Sequence, residues 1–295
     1  MALGDIGEMM RHARRHGYAI GYFESWNIES LQGVLDAAEE TRSPIIIGFN
    51  GEFLSRGDRK AQERLTLYAA LGKAAAESVG VPCGLIFNEC PRDEWVRLAS
   101  RHGFNLVMPS DPAVPYDQYV HRVGALTQFA HQHGVSVEAE VGELPCGVSG
   151  GMEGNGSLTD ADVAARFVEA TDVDLLAVSV GNVHISLNGE HGLDMARLAE
   201  IRKRVDIPLV LHGGTGIAAD PLRGAISLGV VKVNYGTYLK QRYLTAIRAA
   251  LNNDMANPHE LLGIGGDADV MVAGRLAVRQ AVLERIGNLG CCGKA

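Results

Sequence analysis

The sequence predicts a single-domain α/β protein, a (β/α)8 TIM barrel spanning residues 1–295. Three observations carry that expectation: eight short runs rich in Val, Ile and Leu, helix-length segments with helical periodicity between them, and a proline in front of several runs. The length agrees, because such barrels commonly use about 250 residues as one domain.

The eight runs are 19–23, 44–49, 82–87, 106–108, 135–141, 175–178, 209–212 and 230–234. Between the first two, residues 28–40 place Leu31, Val34, Leu35 and Ala38 on one helical face behind a polar, acidic start. Ser43-Pro44, Val81-Pro82 and Ile207-Pro208 each set a proline where a strand begins and needs no ladder donor. Strand and helix alternating along one chain imply a parallel sheet. No linker divides the repeat; the Gly-rich stretch 147–156 reads as a mobile active-site loop after strand five, and 288–295 as a flexible tail.

Composition excludes several classes of function. An apolar fraction of 46% suits a large core rather than a disordered chain. The charge of −8, from 27 basic and 35 acidic residues without a basic block, excludes a nucleic-acid surface. Residues 1–15 lack the apolar core of a signal peptide, and no apolar run reaches the roughly 20 residues of a membrane helix, so a cytoplasmic protein is expected. The five cysteines show neither CxxC spacing nor a small secreted framework, and disulfides are not expected.

In barrels of this class the chemistry gathers just past the C-terminal ends of the strands. His184 and His212 follow strands six and seven, so both can face the mouth as metal ligands. Glu138 and Glu140 lie two apart on strand five and share a face; they read either as metal- or substrate-binding carboxylates or as a salt-bridged pair near the rim. Gly213, Gly214 and Thr215 after strand seven, with Asn234, Gly236 and Thr237 after strand eight, offer backbone N–H groups and hydroxyls to a phosphate, although ordinary βα turns also use glycine.

Three segments in order resemble the class II, metal-dependent ketose-bisphosphate aldolases: Ser136-Val137-Glu138-Ala139-Glu140-Val141-Gly142, Pro208 through Ile217 around His212, and Lys232-Val233-Asn234 with Thr237. The resemblance spans nearly the whole chain. It implies a Zn²⁺ that polarises the carbonyl of a ketose phosphate and stabilises an enediolate. It further implies His184 and His212 as metal ligands, with Gly181, Gly213, Thr215, Asn234 and Thr237 around the phosphate or a monovalent cation. A homodimer or homotetramer is also implied.

The departures fall on the other side of the site. Where the family has Asp-His after strand three, this chain has Asn88-Glu89. Glu89 remains an acceptable ligand for Zn²⁺, and a two-His, one-carboxylate set also suits Mn²⁺ or Fe²⁺. Asn88 cannot exchange a proton near neutral pH but can orient a hydroxyl. The strand-one Phe-Asn reads Phe23-Glu24, the strand-two serine is Asn50, and the strand-four Ile-Asp-Gly-Ser is Pro109-Ser110-Asp111-Pro112. Replacement proton carriers are sought among Glu24, Cys90, Asp111, Glu143 and Glu153. The expected function is aldol cleavage of a small phosphorylated, ketose-like substrate, with Asn88, Glu138 and Glu140 as catalytic residues and Glu89, His184 and His212 as the metal set. A metal-dependent isomerase or epimerase and a non-catalytic sugar-phosphate binder are the alternatives.

Overall fold

Eight parallel strands close into a barrel in chain order, β1 pairing with both β2 and β8. They are β1 (Ile20–Glu24), β2 (Ile45–Asn50), β3 (Cys83–Cys90), β4 (Leu106–Pro109), β5 (Ser136–Val141), β6 (Leu175–Val178), β7 (Leu209–Leu211) and β8 (Val230–Tyr235). Each falls on its expected run, because a barrel strand is covered on both faces and so reads as a mainly apolar stretch, with β3, β5 and β8 carrying polar residues toward the site. The computed structural model describes residues 3–111, 113–142, 157–182, 192–252 and 257–295. The expected loop 147–156 and His184 lie outside the described residues.

The helices follow the strands. α1 (Ile6–His16) precedes β1; α2 (Ile28–Thr41) follows it; α3 (Gly51–Leu54) and α4 (Leu65–Ser78) follow β2. α5 (Asp93–Arg101), α6 (Tyr116–His131), α7 (Ala161–Thr171) and α8 (Met195–Arg204) follow β3 to β6 in turn. After β7 come a 3₁₀ turn (Gly214–Gly216) and α9 (Ala219–Ser227), and after β8 come α10 (Thr237–Leu251), α11 (Pro258–Leu261) and α12 (Val270–Leu289). Local chemistry sets these starts. At α2, the Asn27 side chain accepts from Ser30 N (2.9 Å) while Asn27 N donates to Ser30 Oγ (3.1 Å), a reciprocal cap.

Two features position the site. On β3, Phe87 pairs with Val107 but Cys90 pairs with Pro109, so β3 carries one extra residue against β4. This bulge coincides with Glu89 in a left-handed backbone conformation (φ 52°), and it breaks the alternation that would send Asn88 and Glu89 to opposite faces. At the other end of the barrel, α1 buries Ile6, Met9, Met10 and Ala13, packs against β8, and is anchored where Gly4 N donates to Cys83 O (2.9 Å) at the start of β3. It therefore lies across the N-terminal ends of the strands.

The C-terminal residues differ from the loose tail expected. α12 runs to Leu289, Gly290 reverses the chain at φ 70°, Cys291 is fully buried, and Gly293 N and Ala295 N donate to Thr41 O (2.9 Å) and Arg42 O (3.0 Å). A glycine-rich composition suggested freedom, but those glycines make the reversal that seats the chain. The described cysteines 83, 90, 291 and 292 are free thiols. Among the described residues no helix is long and apolar enough to cross a membrane.

Candidate active site

Beneath the barrel mouth, charged side chains from β5, β7 and β8 meet in a buried chain. His212, next after β7 and only 1% exposed, places Nε2 2.9 Å from Glu138 Oε1. Glu138 Oε2 lies 2.8 Å from Lys232 Nζ, and Lys232 donates to Asn234 Oδ1 at 2.6 Å. Glu138 and Lys232 are both fully buried. Burial works against the Glu138 carboxylate, but the Lys232 ammonium and the hydrogen bond from His212 hold its pKa below the ordinary range. Glu138 is therefore an ionised carboxylate buried beneath the mouth, in the salt-bridged arrangement that was one of the two readings of the strand-five pair.

An ionised Glu138 accepts a hydrogen bond from the Nε2–H of His212 and leaves Nδ1 facing two further carboxylates. Nδ1 is 3.2 Å from Glu89 Oε1 and 3.9 Å from Glu140 Oε2. Burial alone would depress the imidazole, but Glu140, then Glu138 and Glu89, raise its pKa to about 10. Glu89 is in turn held by Asn50, whose Nδ2 donates to Glu89 Oε2 at 2.8 Å.

These residues fit a divalent cation. Glu89, Glu138 and Glu140 against Lys232 carry two surplus negative charges, which draw a proton onto the imidazole and which a divalent cation taking that proton's place would balance. His212 Nδ1 and the Glu89 carboxylate are acceptable donors already facing one another, and the Glu138–His212 contact is the outer support that metal-binding imidazoles use. Among the described residues no three such side chains form a finished cage, and His184, the expected third ligand, lies outside them.

The proposed proton carriers separate clearly. Cys90 is buried, its Sγ is set 3.4 Å from Arg92 O, and burial pushes the thiol up to about 12. Asp111 caps its own turn through Ala113 N (3.2 Å). Glu24, at the end of β1, is ion-paired with Lys240 in the first turn of α10 and packs against Gly236. Glu140 is partly exposed at the mouth. Glu143 and Glu153 lie outside the described residues.

The expected phosphate segments flank this cluster. Gly213 adopts φ 66°, which permits the turn into the 3₁₀ segment, and Gly214 packs so closely on β8 that a Cβ would stand 2.6 Å from Val233 Cγ1. α10 begins at Thr237 after Gly236 with no side-chain cap on its N-terminal N–H groups. Gly181, at φ 95°, follows β6.

The buried polar atoms with no hydrogen-bond partner among the described residues include Asn88 Oδ1, Asn234 Nδ2 and the Tyr22 hydroxyl. The first two belong to expected site residues. Tyr22 was not anticipated, although a period of two back from Glu24 places it on the same face of β1. Asn182 was also missed; its Oδ1 accepts from Val180 N (2.8 Å) and its Nδ2 donates to His212 O (3.0 Å), which fixes the backbone that carries the imidazole.

The family model described as "Fructose-bisphosphate aldolase class-II" matches residues 5–294. A fructose-bisphosphate aldolase of Geobacillus stearothermophilus is 33% identical, covering 100% of this chain and 99% of that protein. Among solved structures, the YdjI aldolase of Escherichia coli K12 is 32% identical with a TM-score of 0.83, covering 99% of each chain. The fructose-bisphosphate aldolase of Campylobacter jejuni, 22% identical with a TM-score of 0.77 over 99% of this chain and 96% of that one, shares the fold. With the match running from α1 through the C-terminal residues and the buried His–Glu–Lys cluster at the strand ends, the chain belongs to the class II fructose-bisphosphate aldolase family, whose members are divalent-metal-dependent lyases.

Proposed function

We propose that this chain catalyses the reversible aldol cleavage of a phosphorylated, ketose-like substrate, with Glu89, His184 and His212 as the metal set and Asn88 and Glu140 on the reacting hydroxyl. The observation that carries this reading is His212 held between Glu138 on Nε2 and Glu89 on Nδ1. A bound divalent ion, Zn²⁺ first and Mn²⁺ or Fe²⁺ as substitutes, would supply a Lewis acid at the substrate carbonyl.

The other steps fall to the chain's own residues. The N–H groups after Gly213 and Gly236, with Thr215 and Thr237, hold the phosphate, alone or with a monovalent cation, and Gly181 completes its surroundings. Lys232 can only donate, so Asn234 presents Oδ1 to it and has its Nδ2 donor available for a substrate oxygen. Asn88 Oδ1 accepts from the hydroxyl on the carbon that becomes the aldehyde. Glu140, a carboxylate at the mouth, takes that hydroxyl proton as the carbon–carbon bond breaks; the bonding pair passes to the ketose fragment as its enediolate. The family assignment favours this chemistry over isomerisation or binding without turnover. Assembly as a homodimer or homotetramer belongs to the same reading, and sizing in solution tests it.

The test is metal content and cleavage of a ketose-phosphate panel by wild type and variants. We expect near-stoichiometric metal, lost in His212→Ala and Glu89→Ala, and a fall in kcat of about 10²–10⁴-fold in Glu140→Gln with metal retained. Cleavage that survives exhaustive chelation would overturn the proposal.

A further inference from the structure

The sequence marks Asn50 only as a residue standing where the resembled family has serine. The structure gives that substitution a partner. Asn50 closes β2 in register with Asn88 of β3, which brings its side chain beside Glu89. Its two ends are both engaged. Oδ1 accepts from Phe53 N at 3.0 Å as the N-cap of α3, and Nδ2 donates to Glu89 Oε2 at 2.8 Å.

The direction of this amide follows from its neighbours. Phe53 N–H has a proton to give, so the oxygen of Asn50 must face it, and the NH₂ must face the carboxylate. Glu89 is thereby held by Oε2 while Oε1 is turned to His212 Nδ1, 3.2 Å away. Asn50 is 5% exposed and Glu89 8%, so water offers little competition for either contact. A serine here could still cap α3, but its hydroxyl sits on Cβ and could not cap α3 and also reach Glu89. A carboxylate has two equivalent oxygens and a freely rotating end and can only accept, whereas an imidazole ligand is oriented by an acceptor on its other ring N–H. An acidic ligand therefore needs an external donor that the histidine of the family pattern does not.

We infer that Asn50 is a positioning residue for the metal site, and that Asn50 and Glu89 form one coupled replacement in which the amide selects the carboxylate oxygen offered to the ion. This inference rests on the reading of Glu89 as a metal ligand.

The experiment measures Zn²⁺ affinity of the full chain by chelator competition, and the absorption spectrum of the Co²⁺-loaded protein. The variants are Asn50→Ser, Glu89→Ala, Glu89→His and Asn50→Ser/Glu89→His. Asn50→Ser keeps an oxygen to cap α3, so the fold is retained and thermal melting checks it. We expect Asn50→Ser to weaken Zn²⁺ by about 10–100-fold and to alter the Co²⁺ bands, the size typical of outer-shell losses. In the Glu89→His background the same change should leave both readouts within about twofold of that parent, because the imidazole no longer uses the amide. An Asn50→Ser protein with wild-type affinity and bands overturns the inference while Glu89→Ala still loses the ion. An equal loss in the two backgrounds also overturns it, since it would report a general disturbance of α3. If Glu89→Ala binds Zn²⁺ as wild type does, the underlying reading of Glu89 fails, and the inference fails with it.

Discussion

His212 does not act alone in this barrel; its usefulness is set by two neighbours that never touch solvent. Glu138 fixes its Nε2 and Lys232 keeps Glu138 ionised. Removing one member of a buried ion pair leaves an uncompensated charge, at a cost of about 3–5 kcal/mol, whereas replacing both with apolar residues is often close to neutral. Lys232→Met should therefore destabilise the chain by about that amount in urea unfolding, and Lys232→Met/Glu138→Leu should recover most of it. The double variant should still bind Zn²⁺ poorly, because His212 has lost its orienting carboxylate; a double variant with full affinity would count against the outer-support role. At this scale the sequence was informative about identity and face. Glu138 and Glu140 were placed together by the period of two, but that period is silent about depth. Glu138 lies one full repeat, about 6.6 Å, deeper along the strand, and so the two carboxylates meet His212 through different nitrogens.

The strands were legible because each is a mainly apolar run, but the features that shape the site break the pattern. The bulge at Asn88 and Glu89 arises from backbone geometry, with a non-glycine residue at positive φ, and nothing in the residue types signals it. α1 was equally invisible, since it is surplus to the strand–helix repeat. The last helix offers a prediction. Asp269 caps α12, its carboxylate accepting from Met271, Gly263 and Gly265 N–H groups at 2.9 Å each. The hydrogen bond from Gly265, against a modest cost of burial, and those from Gly263 and Met271 hold its pKa below the usual aspartate value of 3.8. A depressed carboxylate stabilises the fold above its unfolded pKa and loses that contribution as pH falls through the folded value. Stability measured from pH 5 downward should therefore decline less steeply in Asp269→Asn than in wild type; parallel curves would refute the assignment. α12 also packs on α2 through Gly33, where a Cβ would stand 2.5 Å from Arg275 O. Gly33→Val should overpack this seam and cost about 1–3 kcal/mol, read as a lower unfolding midpoint.

For the whole molecule, fold and family agree from residue 5 to residue 294. The expected ketose-phosphate segments could be read from the sequence because each is contiguous and glycine-bearing. The rebuilt side is assembled from residues 24, 50, 88 and 89 on three strands, and their contacts exist only after the barrel closes. An ion bound at the mouth should couple the strands it joins. Zn²⁺ at about 100 times its Kd should stabilise the chain by about 2.7 kcal/mol, seen as a higher Tm that Glu89→Ala abolishes. An unchanged shift in that variant would remove Glu89 from the metal set.

α1 has a consequence for traffic. By lying across the strand bases, it leaves the C-terminal mouth as the doorway for substrate and both products of a cleavage. The fragment made nearest the opening must leave before the one seated below it, and in synthesis the deeper fragment must enter first. An order of release is then a property of the vessel's shape, and product-inhibition patterns would display it: the last fragment out should compete with the ketose, and the first should not.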